Sequence, residues 1–258
     1  MKLFVSAVTG LIAVLAAAPA PAPAADTPIT VAADAVGKGD RVKGSGRIVD
    51  DRRPLSGFVA VHLNGPIDVQ LKASDRDSVT VRADDNVAPL IETRLKAGDR
   101  PSLEIGVAEG ASFRASRSPV VVVEFRALSE LVIRGSGDAR ADRINAEDFA
   151  LSMTGSGDAR IDALQAARFA AVLSGSGDLF VSGRADEQAY QISGSGDVSA
   201  GRLEGRNVQI SIAGSGDAVV HASEALAVAI AGSGEVAYRG SPRLTQQIRG
   251  SGSVHKLR

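Results

Sequence analysis

Five aspartates, Asp138, Asp158, Asp178, Asp197 and Asp217, each close a Gly-Ser-Gly-Asp tetrapeptide, and Glu235 stands where a sixth would fall. Carboxylates repeated at one interval can do chemistry if the fold stacks them. Like charges about 5 Å apart repel unless they are paired or metal-bound, and such a ladder could hold divalent cations, with calcium the candidate cofactor. A second reading needs no ligand: Asp accepts hydrogen bonds from backbone amides of its own turn or of an adjoining coil. The flanking glycines tolerate positive φ and would let the chain reverse sharply at the same place each time. The turn reading is favoured, because the GGxGxD pattern and nine-residue spacing of calcium-binding β-rolls are absent.

Other chemistry finds little support. His62, His221 and His255 are far apart in a chain with no Cys, so neither a zinc site nor a thiol nucleophile is expected. A Gly-flanked serine suggests a nucleophile elbow, but that motif needs a strand-to-helix turn and a His partner. Seven interchangeable serines in one repeat fit a turn better. No Gly-rich stretch runs into Gly-Lys-Ser/Thr, so there is no P-loop. Arg140, Arg143 and Arg160 lie close in sequence to Asp138 and Asp158, as exposed ion pairs of small value. A polysaccharide lyase or hydrolase would need long loops over one face to build a cleft, and the turns here are short. No catalytic residues are expected, and the chain is read as a non-enzyme.

The elements that must position the carboxylates follow from the repeat itself. The turn glycines are Gly135 and Gly137, Gly155 and Gly157, Gly175 and Gly177, Gly194 and Gly196, Gly214 and Gly216, and Gly232 and Gly234, with a decayed seventh copy at Gly250-Ser251-Gly252-Ser253. The intervals are 20, 20, 19, 20, 18 and 18 residues, shorter than helical repeats and close to the coil of a strand solenoid. Two residues before each motif stand Ile133, Met153, Leu173, Ile192, Ile212, Ile230 and Ile248. Four before stand Leu131, Leu151, Ala171, Tyr190, Ile210, Val228 and Gln246. Apolar columns spaced by two mean strands with one face inward. The predicted fold is all-β, a right-handed parallel β-helix with coils of 18–20 residues, each reading strand, corner, strand, variable turn. A composition of 28 Gly and 3% aromatics in 258 residues suits the narrow core such coils enclose.

Upstream, 51–133 lacks the motif yet alternates as strands do, in "FVAVHLNGPIDVQLKAS", "SVTVRADD", "PSLEIGV" and "PVVVVEF". It is read as the less regular β-rich start and cap of the same solenoid, before the repeat region 134–258. Residues 25–50 are taken as a flexible lead-in, with the "GSGR" at 44–47 too far upstream to join the ladder. Residues 1–24 have the layout of a signal peptide, with Lys2, an apolar run of about 16 residues and an Ala/Pro stretch. Cleavage is expected before Ala25, and the run is short for a membrane span. Formal net charge is −1, which offers no case for nucleic acid.

The stretch "GSGRIVDDRRPLSGFVAVHLNGPIDVQLKASDRDSVTVRADDNVAPLIETRLKAGDRPSLEIGV", followed by "LSELVIRGSGDARAD", resembles the putative auto-transporter adhesin head GIN domain family. "VRADDNVAPLIETRL" and the motif after "LVIR" are the most specific parts, and the resemblance covers roughly residues 44–240. It implies an exported β-helix with an irregular start, and it carries over no catalytic residues. The expectation is therefore an exported β-solenoid of the periplasm or cell surface, without a membrane span once processed. Its expected partner is surface polysaccharide, or alternatively an envelope protein.

Overall fold

The computed structural model describes residues 41–257; the expected signal peptide lies outside them. Strands make up about two thirds of the described residues, and no α-helix is among them. The N-terminal part holds β1 (Val42–Lys43), β2 (Ile48–Arg53), β3 (Ala60–Asn64), β4 (Asp68–Ala73), β5 (Ser78–Asp84), β6 (Ile91–Lys96), β7 (Ser102–Val107), β8 (Phe113–Arg114) and β9 (Val120–Phe125). A single 3-10 turn at Ala88–Leu90 precedes β6. The repeat region holds β10 (Glu130–Gly135), β11 (Ala139–Ala141), β12 (Ile144–Gly155), β13 (Ala159–Gly175), β14 (Leu179–Gly194), β15 (Val198–Gly214), β16 (Ala218–Gly232), β17 (Glu235–Arg239), β18 (Arg243–Gly250) and β19 (Ser253–Lys256).

Each long strand begins just past the Asp of one motif and ends on the first Gly of the next. Successive coils pair in parallel with the motifs in register, as in Gly155 against Gly175 and Gly175 against Gly194. The fold is a parallel β-solenoid. The variable turns differ from the sequence reading: most remain strand, and the coil-length differences are absorbed by register shifts, between Ile161 and Leu164 and again between Phe180 and Ser182. A β-bulge takes up a residue without breaking the ladder, so the columns on either side stay aligned.

Counted from the N-terminal end, the rungs do not follow chain order. The first rung is β7 with β9, the second β3 with β4, the third β10 with β11, and all pair in parallel. The fourth is β12 and the start of β13; the fifth is the end of β13 and the start of β14. The chain thus lays down its second rung, builds the end of the molecule, and returns beside that rung to begin the repeat. The end is closed by strands of opposite direction: β6 runs antiparallel to β7, and β5 lies antiparallel between β9 and β2. A solenoid needs such a cap because its last rung otherwise presents unpaired backbone.

Residues 42–53, within the expected lead-in and the segment after it, form β1 and β2. Strand β2 lies on β5, and Gly44-Ser45-Gly46 wraps the carboxylate of Asp84. That tie comes from residues 40 positions away, which local composition does not reveal.

The inward columns fill the core. Every residue of the two columns named above is buried until the final rung, where Gln246 and Ile248 are exposed. A third column starts with Phe149 and Phe169, stacked at 5.9 Å, with Tyr190 edge-on to Phe169 at 5.8 Å. In the next coil the column continues as Gln188. Its amide donates to the carbonyls of Ala185 (3.1 Å) and Leu203 (3.2 Å) and accepts the Tyr190 hydroxyl at 2.8 Å. These bonds let a buried polar pair stand in an apolar column. Burial pushes the Tyr190 hydroxyl pKa far up, so it stays protonated and keeps the hydrogen that it donates to Gln188.

Candidate functional site: the corner column and its groove

At each corner both glycines lie too close to the rung below for a side chain, and the first has a further requirement. The first has positive φ throughout, from 120° at Gly135 to 143° at Gly232, a conformation other residues resist. The second is not in that region. A Cβ on Gly177 would lie 2.1 Å from the carbonyl oxygen of Gly157 one rung below, and the same holds at Gly157 over Gly137. The reversal therefore depends on close approach of stacked backbones at both glycines, a Cβ on Gly175 lying 2.2 Å from the Gly155 carbonyl oxygen, and on backbone freedom at the first as well. The sequence reading assigned positive φ to both, and for the second column that is corrected.

The aspartates form a ladder through the backbone. Oδ1 of Asp138 accepts the N–H of Asp158 at 2.9 Å, and Asp158 accepts from Asp178, Asp178 from Asp197, Asp197 from Asp217 and Asp217 from Glu235, at 2.7–2.9 Å. The corner carbonyls are used as well: Gly155 accepts the N–H of Ser176, and Asp178 accepts that of Ala159, both at 2.9 Å. Charge-assisted bonds to amides give these carboxylates a role without a ligand. Among the described residues no three His, Asp or Glu gather so as to hold a metal ion. Glu235 pairs with His255 at 3.2 Å.

The ladder begins earlier than the repeat. The N–H of Asp138 donates to Oδ1 of Asp68 at 3.1 Å, Gly137 donates to the Gly65 carbonyl at 3.0 Å, and Gly137 sits with no room for a Cβ above the Ile67 carbonyl. "NGPID" at 64–68 is thus a corner of the same kind, with Ile67 where later rungs carry glycine. Ile67 is fully buried. The recoverable signal was a Gly and an Asp three apart between two alternating strands.

Beside the corner runs an open groove of about 340 Å³. One wall carries Asp68, Asp138 and Asp158; the other carries Gln70, Arg140, Arg160 and Phe180, which stand in register on successive rungs. Phe180 points outward with 39% of its surface exposed, one of four large apolar residues so placed among those described. Both arginines turn away from the ladder and bind Asp162, Arg140 at 2.8 Å and Arg160 at 2.7 Å. Burial raises the Asp162 pKa, but these hydrogen bonds outweigh it and hold the carboxyl below its usual range. The pairing suggested by sequence proximity, Arg140 and Arg160 with Asp138 and Asp158, is replaced by this one. Arg143 contributes its backbone N–H to Asp142.

Two further polar clusters lie in the N-terminal part. Asp84 is fully buried and accepts from Gly46 N (2.7 Å), Ser116 N (2.8 Å) and Ser116 Oγ (2.6 Å), and the Ser116 bonds hold its carboxyl below the usual range. His62 sits half-buried between Glu104, 2.9 Å from Nδ1, and Glu130, 3.5 Å from Nε2, which joins three rungs. Neither cluster opens on the groove lining.

Several solved structures share this architecture. A putative adhesin from Bacteroides fragilis NCTC 9343 aligns at a TM-score of 0.78 with 20% identity, covering 84% of this chain and 100% of its own. A putative lipid binding protein from Parabacteroides distasonis ATCC 8503 gives 0.71 at 24% identity, covering 85% and 100%. A putative adhesin from Parabacteroides merdae ATCC 43184 gives 0.68 at 22%, again covering 85% and 100%. No curated protein sequence matches the chain. The family model described as "putative auto-transporter adhesin, head GIN domain" matches residues 57–242, which takes in the cap, the early corner at 64–68 and all but the last rung of the solenoid, and the chain belongs to that family.

Proposed function

We propose that this chain is an exported, non-enzymatic binding module of the cell envelope, resident in the periplasm or on the surface, that holds surface polysaccharide. The observation that carries this reading is the in-register repetition of outward polar side chains, Asp138, Asp158 and Asp178 in the ladder and Arg140 and Arg160 beside it. A repetitive polymer can engage such a face at several points at once, and the linked contacts multiply weak affinities. Membership of an adhesin-described family and adhesin-described structural relatives support a surface-binding role. Among the described residues no helix is long and apolar enough to cross a membrane. The test is retention of envelope polysaccharide, cell-wall and outer-membrane fractions on the immobilised chain. Retention of a polysaccharide fraction is expected; passage of every fraction would end the proposal.

A second reading, an envelope protein with a protein partner, is favoured by one feature. Strand β18 pairs only with β16 and β19 only with β17 among the described residues, and Ile248 in β18 is 36% exposed. An edge of this kind can accept another strand. Concentration-dependent association in sizing experiments supports that reading, and a strict monomer at all concentrations opposes it.

A further inference from the structure

We infer that the groove over the first to fifth rungs is a subsite for a neutral, hydroxyl-rich linear glycan lying along the solenoid axis. The inference rests on the binding reading above and names its site and its ligand class.

Direction comes from the lining. The groove reaches from Val120 on the first rung to Phe180 on the fifth, roughly 19 Å at about 4.8 Å per rung. It runs along the stack and is open to solvent, so it suits an extended chain more than a compact molecule. Its volume of about 340 Å³ is at the small end of ligand sites, as expected for one stretch of a longer polymer.

Charge selects the class. Arg140 and Arg160 share Asp162, so half of their positive charge is already met and a single positive charge is left to face the ladder. The three ladder carboxylates of Asp68, Asp138 and Asp158 remain on the facing wall. The groove is therefore net negative, which repels a polyuronate or a phosphate-rich chain at close range. Among the described residues, Oδ2 of Asp138 and of Asp158 has no partner, since each carboxylate gives only Oδ1 to the rung above. These outer oxygens repeat once per rung, at a spacing near the length of one sugar residue, and accept from hydroxyls. Gln70 adds an amide that donates and accepts. Phe180 offers an aromatic face, 39% exposed, between Arg160 and Ser199 in its column. An exposed ring at the end of a polar groove suits the C–H face of a pyranose. An acyl chain would find three carboxylates and two guanidiniums along its path, which is costly for apolar groups to desolvate.

The test uses the full exported chain and three probes: linear hexasaccharides of β-linked glucose and of mannose, and a hexagalacturonate, titrated by calorimetry at about 0.15 M salt. A neutral hexasaccharide should bind more tightly than the uronate. Phe180→Ala should weaken it by about tenfold, with an unchanged melting temperature because the ring is on the surface. Asp158→Asn keeps the oxygen that accepts the Asp178 N–H while changing the outer atom from acceptor to donor; it should weaken binding several-fold without destabilising the ladder. Tighter binding of the uronate, or a Phe180→Ala chain that binds as the parent does, overturns the inference. If envelope polymer is still retained in that case, the wider binding function stands and only the site is wrong. Failure to bind either probes or envelope fractions removes both.

Discussion

The backbone N–H of Asp138 donates to the carboxylate of Asp68 across 70 residues of sequence, at 3.1 Å. It is the same bond that every later aspartate makes over 18–20 residues, so the second rung is built to the rule of the repeat although it lacks the repeat's sequence. Asp68→Ala removes the acceptor and should cost about 1 kcal/mol, seen as faster hydrogen exchange at the Asp138 amide and a lower melting temperature. Asp68→Asn retains an oxygen acceptor and should be nearly silent. Equal effects from the two substitutions would show that the carboxylate acts through its charge and not through this bond.

The same bonds bear on calcium. Each ladder carboxylate has one oxygen committed to an amide, and no three acidic or imidazole groups converge among the described residues. A cation bound at a hundredfold excess over its Kd would add about 2.7 kcal/mol, several degrees for a chain of this size. The expected result is a melting temperature that moves by less than about 1 °C between EDTA and millimolar calcium. A rise of several degrees with calcium would place the ion on the outer oxygens of the ladder.

At the second glycine of the corner, close approach makes a sharper prediction than backbone freedom would. Gly177→Ala puts a methyl 2.1 Å from the Gly157 carbonyl oxygen, a contact with backbone that cannot swing away. The coils must part locally, at a cost of about 3 kcal/mol or more, and Gly177→Val should be at least as damaging. Gly98→Ala, with nothing within 4 Å, is the matched neutral control. If Gly177→Ala melts with the parent, the stacking described for the corner is wrong.

How far the fold was legible in sequence depends on which residues carried it. Ile133, Met153 and Leu173 announced an inward column because a solenoid repeats one environment at one interval, and that periodicity survives in sequence. Asp178 announced a corner for the same reason. Gly65 and Asp68 did not, because a corner occurring once, with Pro66 and Ile67 inside it, has no second copy to align with. Nor could Asp84 be paired with Gly46 and Ser116, since a cap is closed by contacts between distant segments that share no pattern. Phe180 was visible as a residue after a motif, but its exposure follows from the alternation of inward Leu179 and Val181 around it. The groove was hidden because the third rung pairs with β3 and β4, and chain order does not predict that neighbour.

The His62 cluster predicts how the first three rungs respond to pH. The Glu130 carboxylate facing Nε2 at 3.5 Å raises the His62 pKa above its ordinary 6.5, burial opposes the shift, and the hydrogen-bonded Glu104 reinforces it. The facing His62 in turn holds Glu130 below its ordinary 4.5, again against burial, with Arg100 and Arg134 adding in the same direction. A histidine with a raised folded pKa stabilises fully below about 6.5, and that stability is lost as pH climbs through the raised value. A glutamate with a depressed folded pKa stabilises above its unfolded value, and that contribution is lost as pH falls through the lowered one. Together they contribute most between about pH 4.5 and 6.5. Because the cluster is only half-buried, its worth after solvent screening is about 0.5–1 kcal/mol, or roughly 2 °C in melting temperature. His62→Gln should therefore melt about 2 °C below the parent near pH 6, and the gap should close as pH rises to 8 and beyond. Hydrogen exchange should locate the alkaline loss in β3, β7 and β10, the strands that carry His62, Glu104 and Glu130. A gap that stays constant across pH would mean that His62 holds these rungs by packing alone.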